Sequence, residues 1–158
     1  MSIRSVVLLK FSPFQLDYAS DPIKASGYYN STIGLTTIQI QTLNFQGRLY
    51  IEGSNVLEPT ENDWFPIQLN PNEDYIQYPR SNYSIYGSLT YTSNPTVQTD
   101  WYSIVGVNGE SSTLGFTFYL NCLYLRARFN RSYFLPSQLV QSQIEPFGSI
   151  DSILVNFS

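Results

Sequence analysis

The chain has 158 residues, 42% hydrophobic and 16% aromatic with only 13% charged, a length that can bury a core without staples and a balance opposite to that of a disordered chain. Eight basic residues against twelve acids leave a net charge of −4, so no sustained positive field exists to attract phosphates and no nucleic-acid partner is expected. Histidine is absent and Cys122 is the one cysteine, which removes Ser-His-Asp and Cys-His catalysis, histidine zinc sites and any internal disulfide.

The first predicted element is a strand from Ile3 to Phe11, stopped by Ser12-Pro13. Its apolar run Val6-Val7-Leu8-Leu9 is far shorter than a membrane span, and the N-terminus does not read as a signal peptide, so neither membrane association nor secretion is expected. A loop follows through Asp21-Pro22, and Gly27-Tyr28-Tyr29-Asn30 reads as a short edge strand or an exposed turn. From Leu35 to Leu43 the side chains alternate, with Ile38 and Ile40 on the inner face and Thr37, Gln39 and Gln41 outside. The strongest hairpin signal comes next. In Gly47–Ser54, Leu49 and Ile51 point one way while Arg48, Tyr50 and Glu52 point the other; a polar lip from Asn55 to Asn62 then leads to a return strand in Asp63-Trp64-Phe65-Pro66-Ile67.

After a turn at Asn70–Glu73, a short strand at Tyr75–Tyr78 is closed by Pro79, and further strands are predicted at Ser84–Thr92 and Thr96–Val107. The signal from Thr113 to Phe129 exceeds normal strand length and changes parity, which predicts a bulge or bend near Asn121-Cys122. Cys122 itself reads as core filler. A loop from Pro136 to Glu145 carries one predicted helical turn around Ser137–Ser142, and Ile150–Phe157 is the last strand, buried through Ile153, Val155 and Phe157 and set inside a sheet. Helical periodicity is otherwise almost absent. The expectation is an all-β, antiparallel sandwich of eight to ten strands in one domain, residues 1–158.

No nucleophile-elbow, phosphate-loop or dinucleotide motif occurs. Carboxylate-pair glycoside hydrolysis is formally open, but the acids fall in turns, where solvated loop charge is the plain reading. The lip acids Glu58, Glu61 and Asp63 could alternatively take calcium, although their spacing matches no EF-hand; no cofactor or metal is expected. Tyrosine is the residue in excess, with 13 copies. Tyr28, Tyr29, Tyr75, Tyr78 and Tyr83 lie beside turns and are the candidate interface residues. The sequons at Asn30, Asn82 and Asn130 carry no weight without secretion.

Gly47–Asn55 with its lip and tryptophan strand resembles the hairpin of discoidin-like and galactose-binding-like jelly rolls. Leu123–Phe129 is similar to a later strand of those domains, and Gly148–Phe157 to their closing strand. With the strand Leu35–Leu43, the combination also resembles small virion structural proteins of tailed bacteriophages of the marine and cyanobacterial kind. That resemblance implies a non-enzymatic virion component, made in the host cytoplasm: a capsid decoration, neck or tail protein whose partners are other virion proteins and copies of itself. Arg126 and Arg128 are then expected to brace acidic loops or a neighbouring chain. The alternative is a carbohydrate-binding module or host-recognition adhesin whose partner is a host glycan, bound by the lip and nearby rings.

Overall fold

The computed structural model describes residues 4–29, 34–69, 73–80, 89–94, 99–104, 109–135 and 137–157. Its strands are β1 (Arg4–Lys10), β2 (Asp17–Ala19), β3 (Ile23–Lys24), β4 (Leu35–Leu43), β5 (Gly47–Ser54), β6 (Phe65–Pro66), β7 (Ile76–Tyr78), β8 (Leu89–Asn94), β9 (Thr99–Ile104), β10 (Thr113–Tyr119), β11 (Tyr124–Asn130) and β12 (Ser149–Phe157). One antiparallel sheet runs β1-β12-β4-β10 and the other β2-β11-β5-β6; β3 extends the β2 edge along β11, and β7 extends the β6 edge along β5. Strands β8 and β9 pair with each other as a hairpin.

With β2/β3 and β6/β7 each counted as one interrupted strand, the body has eight positions, ordered 1-8-3-6 in one sheet and 2-7-4-5 in the other. This is the strand order of a jelly roll, an antiparallel sandwich of two interleaved Greek keys. The strand list is longer than eight to ten because both interrupted positions carry sequence breakers: Asp21-Pro22 between β2 and β3, and Asn70-Pro71-Asn72 between β6 and β7.

Side-chain alternation decides what each sheet buries. In β4, Thr36, Ile38, Ile40 and Thr42 are buried, while Gln39, Gln41 and Leu43 are exposed. Leu49 and Ile51 of β5 meet Ile76 and Tyr78 of β7 and Leu125, Ala127 and Phe129 of β11 in the same core. The predicted bend separates β10 from β11 at residues 120–123, so the two halves of the long apolar run join different sheets. The parity change is therefore a sheet crossing. Strand β12 lies between β1 and β4 and buries Ile153, Val155 and Phe157 as expected. A bulge between Val7 and Leu9 lets β1 bury two consecutive leucines, Leu8 and Leu9.

Residues 26–29 take the turn of the two readings given for that segment, while β2 and β3 stand where a loop through Asp21-Pro22 is predicted. The short helix α1 spans Gln141–Ile144, later than predicted, because the Gln143 side chain accepts the Val140 N–H at 3.0 Å and Ile144 and Phe147 anchor the segment in the interior. Strand β8 begins inside the predicted 84–92 span but runs on to Asn94, into the turn predicted between the two spans, and β9 lies within the predicted 96–107 span; the remainder of both spans lies outside the described residues.

Arg131, just past β11, is fully buried. Its Nε donates to the Gln46 carbonyl at 3.0 Å, Nη1 to Gln15 at 3.2 Å, and Nη2 to the carbonyls of Phe147 and Gly148. The guanidinium lies over the rings of Phe45 and Phe129 at 4.8 and 5.2 Å. Burial lowers its pKa to about 10, which leaves it charged at neutral pH. One side chain thus joins three loops that are distant in sequence.

Cys122 is buried, with its Sγ 3.2 Å from the Tyr124 carbonyl. Burial pushes its pKa up to about 11 against the opposing hydrogen bonds. A thiol without thiolate character is a poor nucleophile. The native protein should therefore resist a disulfide reagent at pH 8 and take up one equivalent when unfolded in guanidinium; rapid labelling of the folded chain would contradict this.

Candidate functional site

The outer face of the β11–β5 sheet is where the chain concentrates its cations. Even-numbered residues of β11 and β5 point outward, and register sets Arg126 opposite Glu52, Arg128 opposite Tyr50 and Asn130 opposite Arg48. Arg126 Nε donates to Glu52 at 2.8 Å, and Arg128 Nε donates to the other Glu52 oxygen at 3.1 Å. The Arg126 and Glu52 side chains are only 8% and 7% exposed. An outward-pointing pair is buried because the lip folds over it: Glu61 receives Arg126 Nη1 at 3.2 Å, and Trp64 lies against the same guanidinium at 4.5 Å.

Each neighbouring cation also meets a ring. Arg128 stacks on Tyr50 at 4.0 Å; Arg48 lies 4.6 Å from Tyr75 and 4.0 Å from Tyr133, with its Nε donating to Gln77 at 3.0 Å. At the other end Lys24 sits over Tyr28 at 4.6 Å, beside Tyr124 and Tyr29. The result is a cation–aromatic stripe about 20 Å long, judged from strand rise along Tyr124–Asn130.

The lip acids do not converge. Asp63 accepts the Thr60 N–H at 2.7 Å and the Thr60 hydroxyl at 2.9 Å, which hold its carboxyl below the usual range; Glu61 turns to Arg126; Glu58 is exposed. The carboxylates that calcium would need to share are engaged elsewhere, and no group of three or more potential ligands forms among the described residues.

The tyrosine candidates separate. Tyr28 and Tyr29 are exposed, at 39% and 38%, and pack edge to face. Tyr75 is half-buried against Arg48 and Tyr50. Tyr78 is not on the surface: it shares the inward parity of Ile76, is fully buried, and packs edge to face on Phe45, while burial pushes its phenol pKa up. Tyr83 lies outside the described residues. Sequence reasoning missed Arg48 and Trp64; the alternation of Arg48, Tyr50 and Glu52 that it did read was the available signal.

A second polar cluster holds the entry to β10. Glu110 accepts the Arg80 N–H at 2.8 Å, Arg80 Nε at 2.9 Å and the Ser112 hydroxyl. Partial burial works to raise its pKa, but the Ser112 and Arg80 contacts outweigh it and the net shift is downward from 4.5. A depressed folded pKa contributes stability that is present above the unfolded value and lost as pH falls through the folded one. Glu110→Gln should therefore flatten the decline of the urea midpoint between about pH 5 and pH 3; an unchanged acid limb would contradict it.

No family model matches the chain, and neither does any curated protein or solved structure.

Proposed function

We propose that this chain is a non-enzymatic structural protein of a tailed phage particle, a capsid decoration, neck or tail component that acts through protein–protein contacts. The observation that carries the reading is the outer face of the β1-β12-β4-β10 sheet. Register lines up Ser5, Asn156, Thr37 and Thr117 in one row and Val7, Leu154, Gln39 and Gly115 in the next. These rows hold no charge. Exposed Val7, Leu43 and Tyr119 add apolar area to the same face. These two charge-free rows, four strands wide, suit packing against a neighbour, since docking on them desolvates no ion; the adjoining row, Lys10, Ser152, Gln41 and Thr113, carries one cation at the β1 edge. Jelly rolls serve viral capsids, lectins and cupins; fold does not fix function, so the weight rests on this surface.

Quantitative mass spectrometry of purified particles tests the reading. The expected result is the protein at a fixed number of copies per particle. Recovery only as free protein in the lysate would overturn it.

The cation–aromatic stripe favours a second reading, a host-recognition module for a carboxylated glycan. The terminal nitrogens of Arg48 and Arg128 donate to none of the described residues, while ring stacking and their Nε bonds fix both guanidinium groups in place. On a glycan array this reading expects saturable binding to uronic-acid polymers that Arg48→Ala and Arg128→Ala each abolish. An array without such binding removes it.

A further inference from the structure

The jelly roll leaves four sheet edges, and three of them carry devices that block further pairing. Strand β1 begins with Arg4, ends with Lys10 and is bulged between Val7 and Leu9. The β2/β3 edge is broken into pieces of three and two residues that include Asp17 and Lys24. The β6/β7 edge is equally short, contains Pro66 and is followed by Pro79. Strand β10 has none of these. Its seven residues, Thr113–Tyr119, lack charge, proline and bulge, and its ladder to β4 is continuous.

Hydrogen-bond parity shows what that edge presents. The Thr42 N–H donates to the Ser112 carbonyl at 2.9 Å and the Leu120 N–H to the Gly34 carbonyl at 2.7 Å, so even-numbered residues bond to β4. In an antiparallel ladder the alternate residues then turn their N–H and C=O groups the other way. The main chains of Thr113, Gly115, Thr117 and Tyr119 therefore face outward, and no described strand pairs with them. Leu114, Phe116 and Phe118 stay only half-buried because the core is open along this edge.

We infer that β10 pairs antiparallel with β10 of a second copy about a two-fold axis at Phe116, joining two four-stranded sheets into one. The inference rests on the assembly role proposed above and names its partner. The axis sets Thr113 opposite Tyr119 of the second copy and Gly115 opposite Thr117, all residues with outward-facing main chains, so donors meet acceptors along the whole strand. Leu114, Phe116 and Phe118 are covered by their counterparts. Gly115, whose outer side is open, leaves room beside it for the Tyr119 ring, at 77% the most exposed large hydrophobic among the described residues. Charge matching agrees: no residue from Ser111 to Leu125 is charged, so the axis opposes no like charges, whereas Lys10 on β1 would. The two-fold closes the contact at a dimer.

Sedimentation equilibrium over a concentration series tests the pairing. The wild type should dimerise. Thr117→Pro removes an N–H that no hydrogen bond among the described residues uses, and Thr117→Lys adds charge at the edge; each should weaken dimerisation at least ten-fold with an unchanged circular dichroism spectrum. Gln41→Lys, exposed on the same face but one strand inward, should leave the dimer intact. Loss of the dimer in Gln41→Lys but not in Thr117→Lys would overturn edge pairing, as would a wild type monomeric at every concentration. A monomer still found in particles defeats the pairing and leaves the assembly role standing; a dimer absent from particles does the reverse.

Discussion

Arg131→Ala is expected to lower stability by about 4 kcal/mol. The guanidinium is fully buried and donates to the carbonyls of Gln15, Gln46, Phe147 and Gly148. Alanine removes a donor from each of these carbonyls, of which Phe147 keeps the Gln46 N–H at 2.9 Å, and opens a void against Phe45 and Phe129. For a chain of this size the loss corresponds to a melting temperature lower by about 10 °C. Arg131→Lys keeps the charge, but a single ammonium cannot span acceptors that a planar fork reaches, so it should recover no more than about half of the loss. Urea midpoints of both variants decide the matter; an alanine variant within about 1 kcal/mol of wild type would show that the loops hold one another without the arginine.

The second large effect belongs to Glu52. It is the shared acceptor for Arg126 and Arg128, and its pair with Arg126 is almost wholly covered. Glu52→Ala leaves Arg126 with only the exposed Glu61 and the Trp64 ring, at an expected cost of about 3 kcal/mol. Replacing both partners, as Glu52→Leu with Arg126→Met, should restore most of that loss, because no buried charge remains to be compensated. Glu61→Gln should cost under about 1 kcal/mol, since the Glu61 side chain is 84% exposed and its pair is screened. A double-mutant cycle by denaturant unfolding separates these values. Equal losses for Glu52→Ala and Glu61→Gln would refute the ranking.

Alternation carried most of the fold. Leu35–Leu43, Gly47–Ser54 and Ile150–Phe157 each have one apolar face, and each is a strand with that face buried. The bend in the Thr113–Phe129 signal was legible because apolar parity must reset when a chain changes sheets. The pieces β2 and β3 were not, being too short for a period of two to repeat, whereas β6 and β7, equally short, fall inside the strands expected at 63–67 and 75–78. Arg131 was hidden by its context: it lies inside the chance sequon Asn130-Arg131-Ser132, and nothing local announces that distant loops will deliver their carbonyls to it. Glu52 misled in a subtler way. Its direction was right, yet its burial depends on the lip folding back, a tertiary fact. Tyr78 was assigned to the surface from its neighbouring turn, although its parity with Ile76 already placed it inward.

The two broad sides of this sandwich are chemically unlike: one offers threonine, glutamine, serine and asparagine, the other guanidinium groups packed on rings. A body built that way has a front and a back. Were a copy inserted upside down into an ordered array, ions would be stripped of water where neutral amides and hydroxyls belong, a mismatch of several kcal/mol. In the proposed assembly, orientation would thereby be set by each molecule before any neighbour is met.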